Sequence, residues 1–337
     1  MKVNCLLKDA AGKINGVHAV DTLDGKEYQI KSKVVVNATG VFVDDVMKMD
    51  ECDTRRKVRP SQGVHLVVDS KFLGGRSALM IPKTKDGRVL FGVPWHGKVV
   101  LGTTDTPLNE ASLEPRALEE EVDFILDQAG QYLDRKPTRA DVLSIFAGLR
   151  PLAAPTHADS KKTKEISRNH KIYRSKSGLL TITGGKWTTY RAMAEDVINQ
   201  AIVIGGLSPA ECVTKNLRVH GYTKEQFDEN DWNYVYGSDA DKIQKMIEKE
   251  PSFAEKLYEG YTFTAAHVVW AAREEFAQNI EDVLARRVRM LFLDARAALK
   301  IAPKVASVLA AELGKDKTWE QAQIADFNRL ARGYILN

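Results

Sequence analysis

The sequence predicts a mixed α+β fold with an α/β part: a β-rich N-terminal half followed by an all-α domain. Three observations carry this. Lys33–Gly40 sets three consecutive β-branched residues before a small, sharp exit, and a strand apolar on both faces is the pattern of a parallel sheet. From Gly63 to Thr104, short apolar strands alternate with glycine-containing turns, the pattern of an antiparallel sheet. Beyond about Ser208, helical periodicity takes over and stays to the end.

The chain opens as a meander, with strands at Val3–Leu7, Ile14–Val20, Tyr28–Ile30 and Val34–Val36, and a hairpin signal at Asp24-Gly25. The antiparallel strands fall at Val64–Val68, Ala78–Ile81, Arg88–Val93 and Val99–Gly102, with turns at Gly74-Gly75, Asp86-Gly87 and His96-Gly97. Pro115 opens a helix with Leu118, Val122, Ile125, Ala129 and Leu133 on one face. A strand from Val142 to Leu149 is expected to end at Arg150-Pro151. The Lys-rich stretch Thr156–Lys171 reads as an exposed loop, leading to a hairpin of Ile172-Tyr173 with Leu179–Thr183. Helices are expected at Asp239–Glu250, Ala265–Ala277, Ile280–Leu299, Pro303–Leu313 and Thr318–Leu336, with Thr318 and Gln321 at capping-box spacing. Arg286, Arg287, Arg289 and Arg296 read as a solvated or ion-paired helix face, with acidic lipid or a partner as the sharper alternative.

With 337 residues, 44% of them hydrophobic and 28% charged, the chain has the composition of a globular protein of about two domains. A net charge of +4 suits an anionic small substrate or loose attraction to anionic lipid, and is too weak to argue for nucleic acid. Three widely spaced cysteines suggest a reducing compartment, with neither a disulfide framework nor a metal cluster. The N-terminus lacks the apolar core of a signal peptide, and no apolar run approaches the roughly 18 residues of a spanning helix.

The most informative stretch is Gly184-Gly185-Lys186-Trp187-Thr188-Thr189-Tyr190-Arg191, between the strand Leu179–Thr183 and a helical pattern through Tyr190, Met193, Val197 and Ala201. Two glycines let backbone approach a ligand, and the helix behind them points unpaired N–H groups and its positive dipole end there. With a lysine and two threonine hydroxyls in the same turn, this is a site for an anion. It also suits a group that becomes anionic, such as the N1–C2=O edge of a flavin on reduction. A tight turn with an N-cap is the plain alternative.

Asn37-Ala38-Thr39-Gly40, Val58–His65, Leu101–Asp105, Ala147–Leu152 and Gly184–Arg191 occur in the order and spacing found in FAD-dependent glycerol-3-phosphate dehydrogenases, which the chain resembles throughout. Leu284–Arg289 and Phe292–Arg296 are similar to that family's C-terminal domain. The resemblance implies a remnant of a Rossmann-type FAD domain over 1–60. It implies a substrate-binding sheet domain over 61–207, ending in the flavin-contacting Gly-Gly-Lys helix, and a helical domain over 208–337. It implies FAD as cofactor, with Ala38, Thr39, Gly40, Gly184, Gly185, Lys186, Thr188 and Thr189 binding it. His65 would be the base that takes the C2 hydroxyl proton of glycerol 3-phosphate, since an imidazole titrates near neutrality. Arg150 would hold the phosphate or polarise the C2 oxygen with its planar fork of donors. Arg168 would be a further phosphate ligand, and Lys186 would support the charge of the reduced flavin or touch substrate. Asp105 would orient a loop or a neighbouring cation.

The family opens with a Gly-x-Gly-x-x-Gly turn, whereas this sequence contains no Gly-x-Gly, and Val41-Phe42 stands where a Pro-Trp pair is usual. The expectation is therefore a chain lacking the N-terminal FAD-binding segment, a poor FAD binder and inactive by itself. The activity implied is oxidation of sn-glycerol 3-phosphate to dihydroxyacetone phosphate with electrons passed to the quinone pool. The oxygen-using oxidase and a non-catalytic fragment or half of a split enzyme are the alternatives. A cytoplasmic location, peripheral contact with the inner face of the membrane and a homodimer complete the expectations.

Overall fold

The computed structural model describes residues 1–85, 87–154, 169–225, 228 and 231–336. In chain order the strands and helices of the first half are β1 (Lys2–Lys8), β2 (Ile14–Val20), β3 (Glu27–Lys31), β4 (Val36–Asn37), α1 (Val43–Asp50), β5 (Val58–Asp69), β6 (Leu79–Ile81), β7 (Leu90–Trp95), β8 (Lys98–Gly102), β9 (Thr106–Pro107), α2 (Glu119–Ala129) and β10 (Ser144–Ala153). There follow β11 (Lys171–Arg174), β12 (Leu180–Thr183), α3 (Tyr190–Ile204), α4 (Ala240–Lys249), α5 (Ala265–Arg273), α6 (Met290–Leu293), α7 (Ala295–Leu313) and α8 (Lys317–Ala331). They group into two compact units, each drawn from three stretches of chain. The first is Met1–Gly63, Asp105–Pro115 and Gly148–Leu217; the second is Val64–Thr104, Arg116–Ala147 and Arg218–Asn337. The grouping is not sequential, because β5 and β10 each pass from one unit into the other.

In the first unit, β1, β2 and β3 form an antiparallel meander. A second sheet has the order β11-β12-β4, with β12 antiparallel to β11 and parallel to β4. Only Val36 and Asn37 of the β-branched run join the ladder, in register with Leu180 and Thr181. Both faces of the run are nevertheless covered, as its pattern predicts. Val34 and Val36 pack with Leu180, Ile182, Val197 and Ala201 on the α3 side, and Val35 packs with Ile14, Met47 and Leu179 on the other. Helix α1 was not anticipated: neither Thr39 nor Phe42 caps it through a side chain, and its signal is Asp44 and Asp45 in the first turn with Val43 and Met47 buried.

In the second unit, the C-terminal half of β5 pairs with β8, then β7 and β6 follow, all antiparallel. Helix α2 lays Val122, Ile125, Leu126 and Ala129 on Val64, Leu66, Leu90 and Leu101, each fully buried side chain stabilising the fold by roughly 1.5–3 kcal/mol. This helix starts at Glu119 rather than Pro115, where Glu121 accepts the Leu118 N–H at 3.0 Å. Strand β10 continues through Arg150-Pro151 to Ala153 instead of ending there. It lies at an edge of its sheet, where a proline's missing N–H leaves no ladder bond unmade.

The helical region departs from the expected boundaries in three places. Pro303 sits inside α7, not at a helix start. Helix α8 is capped by Asp316, which accepts from Trp319 N at 2.8 Å, and not by Thr318. The stretch Ile280–Leu299 is broken into a π turn at Asp282–Arg287, a left-handed Arg289 (φ 57°), α6 and the start of α7. All of them face one core built around Val268, Leu284, Met290, Leu291, Ile301, Val305 and Leu309.

Candidate active site

The first unit brings together the two turns that the sequence singles out as cofactor-binding. Because β4 and β12 run parallel, the turns that follow them, Ala38–Gly40 and Gly184–Lys186, leave the sheet at the same carboxyl edge. That is where ligands of open parallel sheets are held. Buried Asn37 builds the first turn: its Nδ2 donates to Val43 O at 2.9 Å and to Thr181 Oγ1 at 3.3 Å, while its Oδ1 accepts from Thr39 Oγ1 at 2.7 Å. Gly40 follows with φ 62°. The motif alone assigns Asn37 no role; the strand pairing makes that role visible.

Gly184 and Gly185 both have φ 77°. A Cβ at Gly184 would lie 2.9 Å from the Asn169 carbonyl oxygen, and one at Gly185 would lie 2.4 Å from Met193 Sδ. The glycines are therefore dictated by the protein's own packing as well as by room for a ligand. Lys186 leads into a short 3-10 turn, Trp187–Thr189, before α3 starts at Tyr190, so the helix begins one turn later than the motif suggests. Thr189 N and Oγ1 both donate to Lys186 O at 3.0 Å. Lys186, Trp187, Thr188, Thr189 and Tyr190 are all exposed, and Trp187 and Tyr190 stack at 5.6 Å. Among the described residues no carboxylate or hydrogen-bond acceptor is paired with Lys186 Nζ, so its charge faces outward.

Arg150 is half-buried on β10, its Nη1 3.5 Å from Asp105 Oδ1. Ser61 Oγ donates to the same oxygen and holds the carboxylate in place. Gly63 completes the seat, since a Cβ there would stand 2.3 Å from Arg150 Nη2. Asp105 thus orients a cation, one of its two expected roles; Gly63 as the floor beneath the guanidinium was missed. Arg168 lies outside the described residues.

In the second unit, His65 is half-buried on β5, opposite Gly102 of β8. Its ring stacks on Phe146 at 5.2 Å and 21°, and Phe146 meets Phe292 edge-on at 5.2 Å. A Cβ at Gly102 would lie 2.5 Å from His65 Cδ2, so only glycine leaves the ring room. Next to it, Val64 N donates to Thr104 Oγ1 at 3.0 Å, and that hydroxyl donates to buried Glu121 Oε1 at 2.7 Å. This relay pins the strand immediately before His65. The arginine cluster is not one face. Arg286 pairs with Glu281 and Asp282, and Arg287 with Glu275 and Asp282, whereas Arg296 donates to the carbonyls of Val142 and Leu336.

Residues 2–191 match the family model described as FAD dependent oxidoreductase, and residues 180–321 match that of the C-terminal domain of alpha-glycerophosphate oxidase. The chain belongs to the FAD-dependent oxidoreductase family. The relatives it is similar to are named glycerol-3-phosphate dehydrogenases. It is 38% identical to the mitochondrial glycerol-3-phosphate dehydrogenase SDP6 of Arabidopsis thaliana, over 96% of this chain and 55% of that protein. It is 35% identical to the mitochondrial glycerol-3-phosphate dehydrogenase of Homo sapiens, over 96% of this chain and 48% of that one. The chain spans about half the length of these curated relatives. The crystal structure of the glycerol-3-phosphate dehydrogenase from Bacillus halodurans complexed with FAD superposes with a TM-score of 0.83 at 28% identity, covering 99% of this chain and 68% of that one.

Proposed function

We propose that this member of the family serves the FAD-dependent oxidation of sn-glycerol 3-phosphate to dihydroxyacetone phosphate, with quinone as the electron acceptor at the membrane surface. The observation that carries the reading is the parallel pairing of β4 with β12, which sets two glycine turns and the outward-facing Lys186 at one sheet edge. Exposed backbone turns with a lysine and threonine hydroxyls fit the flavin edge of FAD, whose chemistry when bound is to accept two electrons. Ala38, Thr39, Gly40, Gly184, Gly185, Thr188 and Thr189 would hold it. Lys186 places a positive charge where an anionic ring is favoured, an interaction that grows as charge develops and so assists reaction rather than binding alone. His65 takes the proton of the C2 hydroxyl on a ring nitrogen. Arg150, held by Asp105 and Gly63, grips the phosphate with a fork that an ammonium cannot reproduce; Arg168 is a further phosphate ligand.

Protein supplied with a Gly-x-Gly-x-x-Gly FAD-binding segment, carrying FAD and mixed anaerobically with sn-glycerol 3-phosphate, should bleach its flavin band and form dihydroxyacetone phosphate. Re-oxidation by a soluble quinone should be fast, and hydrogen peroxide formation in air slow. No bleaching overturns the substrate; rapid peroxide formation with no quinone reduction overturns the acceptor.

A further inference from the structure

The helical part of the second unit holds a cavity of about 260 Å³ whose walls include His96, Tyr236, Glu275, Arg286, Arg287 and Arg289, and which the proposed reaction does not use. We propose that it binds a small phosphate ester carrying a free hydroxyl, independently of the flavin reaction.

The charge argument comes first. Arg286 and Arg287 are compensated by Glu281, Asp282 and Glu275. Arg289 has no carboxylate partner among the described residues; its guanidinium lies only over the Trp95 ring, at 6.0 Å. That leaves Arg289 as the guanidinium of the lining not compensated by a paired carboxylate, and planar forks of donors are the groups that match phosphate. The second argument is an orphan donor. Tyr236 is 7% exposed, and its hydroxyl has no hydrogen-bond partner among the described residues. Leaving such a group unpaired is costly, and an oxygen of a bound ester would relieve it. Glu275 Oε2 meets Arg287 Nε at 3.7 Å, an ion-pair separation beyond hydrogen-bond length. That oxygen has no hydrogen-bond partner among the described residues, and in the proposed complex it accepts from the ligand's hydroxyl.

Backbone geometry marks the same walls. His96 and Arg289 are left-handed non-glycine residues, at φ 47° and 57°, and Arg286 and Arg287 end a π turn. Both are costly arrangements that gather at functional sites. Burial and the nearby Arg289 charge also hold His96 below its usual range, so it stays neutral and can accept a hydrogen bond.

The test is calorimetric titration of the full chain with glycerol 2-phosphate, with inorganic phosphate and glycerol as component probes. It is repeated in Arg150→Ala to remove the proposed substrate seat. Expected is saturable binding that survives Arg150→Ala, tighter for the ester than for inorganic phosphate and absent for glycerol. Arg289→Gly, which suits the left-handed backbone, should weaken it at least about tenfold. Tyr236→Phe should weaken it about three- to tenfold while leaving the ligand-free melting temperature unchanged or higher, a combination that a purely structural tyrosine would not give. If Arg289→Gly does not fold, Tyr236→Phe decides alone. Arg289-dependent binding to phosphatidylglycerol vesicles, without binding of the soluble ester, would assign the same site to a lipid headgroup. The site is overturned by no saturable binding of either, by unchanged binding in both variants, or by binding that Arg150→Ala abolishes.

Discussion

Arg150 owes its position to a residue without a side chain. The guanidinium occupies the space where a Cβ of Gly63 would be, and Asp105, itself held by Ser61, fixes its other side. In protein carrying FAD, Arg150→Ala should lower kcat/KM for glycerol 3-phosphate by about 2–5 kcal/mol, and Lys at this position should rescue only part. Gly63→Ala is the more discriminating change, because its nearest obstacle is the far end of a flexible side chain. The fold should survive with its melting temperature nearly unchanged, while kcat/KM falls about 10- to 100-fold through misplacement of the fork. Unchanged kinetics in Gly63→Ala would mean the seat has no part in substrate binding. His65 is framed likewise by Gly102 and Phe146. His65→Gln keeps size and hydrogen bonding, so flavin reduction should fall about 10²–10⁴-fold with the fold intact. A large drop in melting temperature with no change in reduction rate would make His65 a packing residue.

At the scale of elements, helix α7 carries a proline in its interior, where the ring removes a backbone hydrogen bond and crowds the preceding turn. Pro303 is exposed, so Pro303→Ala should raise stability by about 1–3 kcal/mol in a urea melt; a neutral result would show that the helix has already relaxed around it. The same element shows where the sequence could and could not be read. Proline at a helix start is the commoner arrangement, and only the Asp294 cap, accepting from Ala297 N at 2.9 Å, reveals that the helix begins earlier. The π turn was hidden because Val283, Leu284, Val288, Leu291 and Ala295 keep one buried face throughout, so periodicity alone reads as unbroken helix. The strands fared better, since period-2 alternation and glycine turns are local signals: β2 was legible to the residue. The two glycine turns were legible as motifs. Asn37, Gly63 and Gly102 were not, because each acts on a residue brought near by strand pairing.

Stability of the second unit should depend on pH through His267. This residue is 1% exposed in the helical core; its Nδ1 accepts from Thr264 N at 2.9 Å, and its Nε2 lies 2.7 Å from Asn233 Oδ1, so the neutral ring satisfies both neighbours. Burial pushes the imidazole down to about 4, against about 6.5 in an unfolded chain. The unfolded state therefore binds the extra proton between these values. Stability contributed by the neutral ring is fully present above pH 6.5, falls as the pH drops toward 4, and levels off below it, by about 3 kcal/mol in all. Two carboxylates in the same unit do not mimic this. Hydrogen bonds from Lys242 and His220 outweigh burial and hold Asp239 below its ordinary range, so its contribution is lost only at still lower pH. Burial pushes Glu275 up despite Arg287, which makes folding more favourable as the pH falls, the opposite sense. Urea melts followed by tryptophan fluorescence, which reports on Trp232 and Trp270 of this core, should therefore show a midpoint that falls from pH 7 to pH 4.5. In His267→Gln the protein should be less stable at pH 7, and its midpoint should fall less over the same range. Parallel pH slopes in the two proteins would show that some other group carries the acid sensitivity.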